Sequence, residues 1–256
     1  MPSSTWTPAA LSSSRRALSG TCWRLVEAQH HVSTLKLVDT LDEQALLENL
    51  IEDTKPLVPP ECAHLNYLLF TPFRYGAVYP NGSRFRRAGV TDGVFYAAEA
   101  AETAVAEITF HRLLFFAESP DTPWPANPAE YTGFAAEYRT KRAIDLTTGR
   151  FAAHRAVWSH PTDYSRCQAL AESARSAAIE IIRYRSARDP REGMNLALLT
   201  CRAFANPEPI DRRTWRIHLR ETGVLAICEA PELGLSFDRN AFASDPSIAA
   251  MRWDRN

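Results

Sequence analysis

Long apolar runs are missing from this 256-residue chain. Those present, such as residues 67–70 and 224–228, fall far short of the ~20 residues that a membrane-spanning helix needs. Residues 1–20 are rich in Ser, Ala and Arg and lack the continuous apolar segment of a secretory signal. The sequence therefore predicts a cytoplasmic protein with no membrane partner.

An excess of charge of either sign is also missing. The chain has 29 lysine and arginine residues against 30 aspartate and glutamate residues, which gives a formal net charge of −1. A dedicated nucleic-acid-binding protein usually carries a clear basic excess. We therefore expect no direct binding to nucleic acid, whereas the composition leaves enzymes open.

Several motifs of well-known sites are absent as well. The sequence contains no P-loop, no G-x-G-x-x-G fingerprint and no G-x-S-x-G nucleophile motif. Its five cysteines are scattered over positions 22, 62, 167, 201 and 228, without a C-x-x-C pair. This spacing predicts buried, reduced thiols and argues against a disulfide framework or a zinc site.

What the chain does contain is typical of a globular protein with a single core. Hydrophobic residues make up 45% and charged residues 23%, and no change of composition divides the chain at its middle. Residues 1–20 show no periodicity, so we expect a flexible N-terminal arm followed by one domain over 21–256. Helices and strands mix without a strict β–α–β alternation, which favours an α+β fold.

The periodicity of the sequence predicts three helices. Thr40 and Glu43 form a capping box that opens the first helix, inside an insertion-like segment around 39–60. The other two helices are expected at 99–118 and 164–178. Strands are expected at 21–27, 67–70, 94–97, 134–139, 143–146, 181–185, 195–201, 213–219 and 224–228.

Glu107 is the first unusual residue, because it lies on the apolar stripe of the predicted helix 99–118. Its neighbours at helical spacing are Ala104, Phe110 and Leu114. A carboxylate on such a face is costly unless it is paired or takes part in chemistry. It is therefore either one partner of a buried ion pair or a catalytic group.

Arginines 84, 86 and 87 form a cluster on a glycine-bounded segment just before a predicted strand. A guanidinium group presents a planar fork of donors that suits phosphate oxygens, so the segment could hold a diphosphate. The alternatives are a solvated charge run and, with less support from the balanced total charge, a patch that binds nucleic acid.

Tyr96 and Ser186 are two further candidates. Tyr96 lies on the strand between the arginine cluster and the helix of Glu107, where a tyrosine could stack on a heteroaromatic ring or serve as a core residue. Ser186 follows a predicted strand, a common position for binding and catalytic residues. Glu107 and His111 are spaced i, i+4, but no third ligand is suggested, so we expect no metal.

Taken in order, these residues resemble the RES-domain family, toxins of bacterial toxin–antitoxin pairs that are named for an arginine, a glutamate and a serine. The similarity spans roughly residues 21–219, and Tyr96 precedes Glu107 by 11 residues. The motifs that carry it are Trp23-Arg24, Gly82-Ser-Arg84, Gly93-Val-Phe-Tyr96-Ala, Ala104-Val-Ala-Glu107 and Tyr184-Arg-Ser186-Ala-Arg188.

The resemblance implies a fold similar to ADP-ribosyltransferases, with split mixed β-sheets flanked by helices, and chemistry on NAD⁺ as the substrate. Glu107, Arg84 and Ser186 would be catalytic. Arg24, Arg84, Tyr96 and Ser186 would bind NAD⁺, with the arginines on the phosphates and Tyr96 against the nicotinamide.

The family also implies a partner and a choice of acceptors. The expected partner is a cognate antitoxin that pairs a DNA-binding domain with a segment blocking the active site. ADP-ribose would pass to a cellular protein, with hydrolysis or phosphorolysis of NAD⁺ as the alternative. A toxin directed at nucleic acid through Arg84 to Arg87, or a pure binding protein, would be a different class.

Two departures from the family pattern concern the arginine-bearing segments. The typical loop reads Gly-Gly-Arg-Trp-Asn, whereas this chain has Gly82-Ser-Arg-Phe-Arg86. The tyrosine that often follows the first arginine is replaced by Leu25, and the stretch between Arg24 and Arg84 is long. These differences favour a subgroup with a different acceptor, and we expect that acceptor to be a protein.

Overall fold

The computed structural model of the chain describes residues 6–27, 37–75, 82–89 and 91–255. The strands in these ranges are β1 (Arg16–Glu27), β2 (Phe95–Ala98), β3 (Ala129–Asp145), β4 (Ile181–Arg185), β5 (Met194–Leu198), β6 (Asp211–Arg220), β7 (Gly223–Cys228) and β8 (Leu233–Asp238). The α-helices are α1 (Pro8–Ser12), α2 (Leu41–Asp53), α3 (Tyr67–Arg74), α4 (Ala101–Glu118), α5 (Gly149–Ala152), α6 (Arg155–Trp158), α7 (Ser165–Ser176) and α8 (Pro246–Ala249).

One continuous sheet contains all eight strands, in the order β1-β2-β5-β4-β3-β6-β7-β8. Strand β1 also pairs with β3, so that β1, β2, β5, β4 and β3 close into a ring. Among the described strands, β3 and β4 form the one parallel pair. The mixed α/β architecture agrees with the sequence, but the expected split into separate sheets is wrong, because β3 belongs to both the ring and the β6–β8 side.

Strand β3 is a single long strand that joins the ring to β6–β8, where the sequence predicts two separate short strands. The sequence predicts strands at 134–139 and 143–146, separated by the polar residues 140–142. In the structure β3 runs through 17 residues, and one of its edges pairs with β1 from Arg16↔Ala143 to Glu27↔Tyr131. Its other edge pairs with β6 and then β4. Thr140 pairs with Leu18 of β1, and Ala143 pairs with Arg16 of β1 and Ile181 of β4, so pairing on either side of residues 141–142 keeps the polar residues in the strand.

Three clusters of buried side chains hold the helices to this sheet. Helix α4 packs with β6 and β7 around Trp215 and Phe110. Helix α7 packs on the other side, against β4 and the fully buried Phe85. Phe95 and Phe134 lie in the third cluster, which α3 covers. Helix α4, which carries Glu107, is thus fixed by the first cluster and the strands beneath it.

The segment at 67–70 is helical, so its prediction as a strand is wrong. Asn66 caps α3 by accepting the Leu68 N–H at 3.0 Å, and Leu68, Leu69 and Phe73 are buried. A short apolar run does not distinguish a buried strand from a buried helix, and the cap decides here. Pro72 lies inside the helix.

Residues 6–20 form regular structure, which contradicts the expected flexible arm; residues 1–5 lie outside the described ranges. Thr7 accepts the Ala10 N–H at 3.3 Å as the N-cap of α1, and Leu11 is fully buried. Trp6 stacks on Phe151 with ring centroids 4.6 Å apart. Two anchors, Trp6 and Leu11, thus dock a segment whose overall composition is typical of disorder.

The prediction of five reduced thiols is also wrong. Cys62 and Cys201 form a disulfide that joins two short 3₁₀ helices, Pro60–Cys62 and Cys201–Ala203. Cys22, Cys167 and Cys228 are free and buried. The pair is separated by 139 residues, so sequence spacing gave no sign of it.

Helices α2, α4 and α7 agree with the prediction, and the capping box of Thr40 and Glu43 is present. Arg255 ends α4 by donating to the carbonyl oxygens of Phe116, Ser119 and Thr122 at 2.7, 2.9 and 3.0 Å. No helix within the described ranges is both long and apolar enough to cross a bilayer.

Candidate functional site

A cavity of about 340 Å³ opens beside the ring of strands. A volume of that order is typical of a small-molecule site. Strand β1, the 82–84 loop, β2, α4 and the β4–β5 region contribute its lining, which includes Trp23, Arg24, Leu25, Ser83, Arg84, Tyr96, Glu107, Ile108, His111, Tyr164, Tyr184, Arg188 and Asn195. Four of the five predicted site residues line it, and the fifth, Ser186, contacts Glu107.

Glu107, Ser186 and Asn195 form what we call the carboxylate wall. Ser186 Oγ donates to Glu107 Oε1 at 2.6 Å, and Asn195 Nδ2 donates to the same oxygen at 2.6 Å. Oε2 of Glu107 accepts no hydrogen bond from any described residue. One carboxylate oxygen is thus fixed by two donors, and the other is available to a ligand.

The turn after β4 fixes the direction of the Ser186 hydroxyl. Its oxygen accepts the backbone N–H groups of Arg188 and Asp189 at 3.0 and 2.8 Å, so its own hydrogen goes to Glu107. Thr103 on α4 donates to Asp189 at 2.8 Å. A Cβ at Gly193 would lie 2.0 Å from Thr103 Oγ1, so only glycine allows this turn to approach α4 closely.

Asn195 is a site residue that the sequence does not reveal. It lies on β5, directly opposite Tyr184 on β4, and is only 4% exposed. Its approach to Glu107 depends on the register of β4 and β5 and on the packing of α4. The sequence offers one signal, a polar residue in an otherwise apolar strand, but no partner for it.

Arg24 and Arg84 form the guanidinium wall. Arg84 is 8% exposed, donates to the Trp158 carbonyl oxygen at 2.7 Å, and lies 4.7 Å from the centroid of the Tyr164 ring. Among the described residues no carboxylate forms an ion pair with either arginine. A buried guanidinium held by a carbonyl and a ring can still gain an anionic partner.

Arg24 reaches the same cavity from β1. It donates to the Tyr96 carbonyl oxygen at 2.8 Å, and its guanidinium lies 5.1 Å from the centroid of the Phe95 ring. Burial lowers the pKa of Arg24 to about 10 because the charged form loses solvation. The group is still protonated at neutral pH, and a bound anion would favour its charged form.

Tyr96 positions the loop of Arg84. Its hydroxyl accepts the Phe85 N–H at 2.9 Å and lies 2.8 Å from Ser83 Oγ. Gln168 on α7 donates to the carbonyl oxygens of Ser83 and Arg86 at 3.1 and 3.2 Å. Burial raises the pKa of Tyr96, so the hydroxyl stays protonated. The ring still lines the cavity, whereas the hydroxyl is engaged with the loop.

The three clustered arginines do not form one basic patch. Arg86 points away from the cavity and donates to the carbonyl oxygens of Thr91 and Tyr75 at 3.3 and 3.0 Å. Arg87 forms an ion pair with Glu172 at 2.6 Å on the surface. Only Arg84 faces the cavity, which argues against reading the run as a nucleic-acid surface.

Arg188 and Tyr164 are further cavity residues that we did not select from the sequence. Arg188 Nη2 donates to the Tyr164 hydroxyl at 2.7 Å, and its guanidinium lies 3.9 Å from the centroid of the Phe110 ring. Asp245, at the start of α8, lies 3.9 Å from Arg188 Nη1. Tyr164 thus contacts two arginines, Arg84 through its ring and Arg188 through its hydroxyl.

His111 lies on the same helix as Glu107, at the mouth of the cavity. Although part of the side chain is exposed, burial of the rest lowers the pKa of His111, Glu107 partly offsets this, and Arg188 adds to it. Within the described ranges no three histidine, cysteine, aspartate or glutamate side chains are arranged to hold a metal ion.

Comparisons with known proteins give a family match and matches to solved structures. One of the solved structures is the M. tuberculosis MbcT-MbcA toxin-antitoxin complex, with 13% identity, a TM-score of 0.45, and coverage of 82% of this chain and 91% of that one. No curated protein matches the chain.

The family match covers the residues from the end of the α2 segment to the end of β6. It corresponds to the RES domain over residues 58–220, and it contains Arg84, Tyr96, Glu107 and Ser186. Arg24 precedes it. Because the matched span is more than half of the chain, the chain belongs to the RES domain family.

Proposed function

We propose that the protein is a toxin that cleaves the bond between nicotinamide and ribose in NAD⁺ and transfers ADP-ribose to a cellular protein. The observation that carries this proposal is the arrangement of one cavity. Glu107, whose Oε2 has no hydrogen-bond donor among the described residues, lines the same 340 Å³ space as two guanidinium groups that form no ion pair with those residues. NAD⁺ presents the complementary groups: a cationic nicotinamide ring bonded to C1′ of the ribose, and an anionic diphosphate.

The chemistry at the carboxylate wall follows from charge. The bond between C1′ of the ribose and the nicotinamide nitrogen breaks, and its electron pair leaves with neutral nicotinamide. Positive charge develops at C1′ and the ring oxygen. Oε2 of Glu107 stabilises that charge, while Ser186 and Asn195 keep the carboxylate from turning.

The guanidinium wall binds the diphosphate. Arg24 and Arg84 both gain a charge-assisted partner when phosphate oxygens enter, so their burial favours an anionic ligand over water. The Tyr96 ring lines the same cavity, where it can contact the nicotinamide.

The acceptor completes the reaction by forming a bond to C1′ and releasing a proton. We assign this role to a side chain of a cellular protein, as the altered arginine loop and the α2 insertion suggest. Water or inorganic phosphate as acceptor would make the enzyme an NAD⁺ glycohydrolase or phosphorylase. All three reactions release nicotinamide.

A protein with this activity would harm its own cell, so its regulation is part of the proposal. Membership of the RES domain family supports a cognate antitoxin, with a DNA-binding domain, that blocks the cavity. A carboxylate of such a partner could pair with Arg24 and Arg84 in place of the diphosphate. Expression of the chain alone should then arrest growth, and its antitoxin should restore it.

The decisive experiment incubates the purified chain with NAD⁺ labelled in the adenylate phosphate, in the presence of cell extract. We expect free nicotinamide together with label on a protein band. Free labelled ADP-ribose would indicate hydrolysis, and a product that requires inorganic phosphate would indicate phosphorolysis. Intact NAD⁺, or cleavage of added RNA instead, would overturn the proposal.

A further inference from the structure

Exposed leucines are concentrated in one segment of the molecule. Within the described ranges, every leucine that is more than half exposed lies between residues 37 and 57: Leu37, Leu41, Leu46, Leu50 and Leu57. Their exposed fractions run from 55% to 89%. Single apolar side chains scattered over a surface are ordinary, whereas a group of exposed leucines within 21 residues of sequence is a candidate interaction site.

Helix α2 organises the centre of this group. Leu46 and Leu50 are four residues apart and share one face of the helix, beside the half-buried Leu47 and Ile51. Gln44 is the only α2 residue that is buried, with 9% of its surface exposed. An isolated helix of 13 residues is marginal in water and normally gains stability by packing its apolar face. In α2 two residues of that face, Leu46 and Leu50, leave more than half of their surface open.

The same segment carries an unusual charge. Residues 37–57 contain six acidic side chains and one lysine, a net charge of −5 in a chain whose total is −1. Glu43 is engaged at the helix N-terminus, and Glu52 contacts Arg74 and Lys55. A second copy of the segment would bring like charges together, and an anionic lipid surface would be repelled.

We propose that α2 is a docking site for an amphipathic helix of a protein partner, one whose aliphatic face is flanked by lysine and arginine. Leu46 and Leu50 would enter the apolar face of that helix, as in other helix-in-groove contacts, and the acidic residues would meet its basic flanks. Helix α2 lies outside residues 58–220, the span that matches the RES domain.

The surface is joined to the loop of the candidate site. Glu52 on α2 contacts Arg74 on α3, and the next residue, Tyr75, accepts a hydrogen bond from Arg86 at 3.0 Å through its carbonyl oxygen. Arg86 is two residues from Arg84. A helix bound on α2 would therefore be connected to the segment of Arg84 through the ion pair between Glu52 and Arg74 and the hydrogen bond between Tyr75 and Arg86.

The test uses three fluorescein-labelled 18-residue peptides and fluorescence anisotropy. The first is an amphipathic Leu/Lys helix, the second has the same pattern with Glu for Lys, and the third is a scrambled Leu/Lys sequence. We expect the first to bind the full chain, and raised salt to weaken it. Leu46→Ser combined with Leu50→Ser should weaken binding at least tenfold, whereas Ile227→Ser, which alters an equally exposed residue on β7, should not.

Equal binding of the Glu peptide or of the scrambled peptide would overturn the proposal, as would unchanged binding by the double variant. Circular dichroism confirms that each variant is folded. Sedimentation velocity tests the other occupant: a dimer that the double variant abolishes would assign α2 to a second copy. Release of nicotinamide is measured on the same samples, so the outcome does not depend on the proposed function.

Discussion

The carboxylate wall and the guanidinium wall of the cavity differ in how far their charged groups already have partners. On the carboxylate wall, Oε1 of Glu107 already has two donors at 2.6 Å, so the direction of its free oxygen is set before any ligand arrives. On the guanidinium wall, Arg24 and Arg84 are held by carbonyl oxygens and aromatic rings, and no described carboxylate pairs with them. The carboxylate wall thus has the hydrogen bonds that orient it, whereas the guanidinium wall has no anionic partner among the described residues.

This difference separates orientation from affinity. A preorganised group contributes most when charge develops in the transition state, because nothing has to reorganise at that moment. A buried cation without a counter-ion contributes most when an anion arrives, because its lost solvation is then replaced. Changes to the first wall should therefore lower kcat, and changes to the second should raise KM.

The largest effect is expected for Glu107→Gln. The substitution keeps size and removes the negative charge, so nicotinamide release should fall more than ~10²-fold while NAD⁺ still binds. Nicotinamide release is measured by chromatography and binding by calorimetry. Glu118→Gln, at the exposed end of the same helix, is the control, and an active Glu107→Gln enzyme would contradict the assignment.

Arg84→Ala should act mainly on binding. Loss of one charge-assisted contact to the diphosphate should weaken NAD⁺ binding by about 1.5–3 kcal/mol, with a smaller change in kcat. Arg24→Ala should act in the same direction. Arg87→Ala removes only a surface ion pair with Glu172 and serves as the control. Equal losses for Arg84 and Arg87 would point to a diffuse basic surface instead.

Asn195→Asp sharpens the comparison, because it changes the neighbour of Glu107 without changing its shape. The variant places a second carboxylate where the amide of Asn195 donates to Glu107 at 2.6 Å. Two carboxylates this close share a proton at neutral pH, which removes negative charge from Glu107 and lowers the activity. We expect about a tenfold loss that recovers as the pH rises. Asn206→Asp makes the same change beside Glu137, away from the cavity, and should leave the pH–rate profile unchanged.

His111 gives the smallest expected effect. Its pKa is lowered from the ordinary value of 6.5, so the unfolded chain takes up protons more readily than the folded one. His111 therefore contributes stability above pH 6.5 that is lost as the pH falls below it. Urea unfolding from pH 7.5 to 5.5 should show this decline, and His111→Gln should reduce it. A steeper decline in the variant would contradict the sign.

The residues that the sequence selected lie around one cavity, but most of their surroundings could not be predicted. Glu107 could be singled out because one carboxylate interrupts a helical stripe, a local pattern that does not depend on the rest of the chain. Ser186 could be linked to it only through the family resemblance. Their contact at 2.6 Å depends on a turn that packs on α4, and Asn195 enters through a strand register that no local pattern encodes.

The errors in the fold have a common physical cause. Residues 67–70 are too few for their period to separate strand from helix, and the cap at Asn66 decided the outcome. Residues 140–142 are polar, yet they remain in β3, because Thr140 and Ala143 pair with β1 on either side of residues 141–142. Trp6 and Leu11 order the N-terminal segment through partners far along the chain. The likeness to the ADP-ribosyltransferase fold stays a prediction.

The guanidinium of Arg255 has a consequence for the order in which this molecule can assemble. The proposed catalytic and binding residues all lie between 24 and 195, but the helix that carries Glu107 receives its last hydrogen bonds from a residue 139 positions after Phe116. Closing so long a loop is entropically expensive and slow. A chain that is still being synthesised, or one truncated before Arg255, could thus contain every proposed site residue and still lack the hydrogen bonds that hold the end of the helix of Glu107.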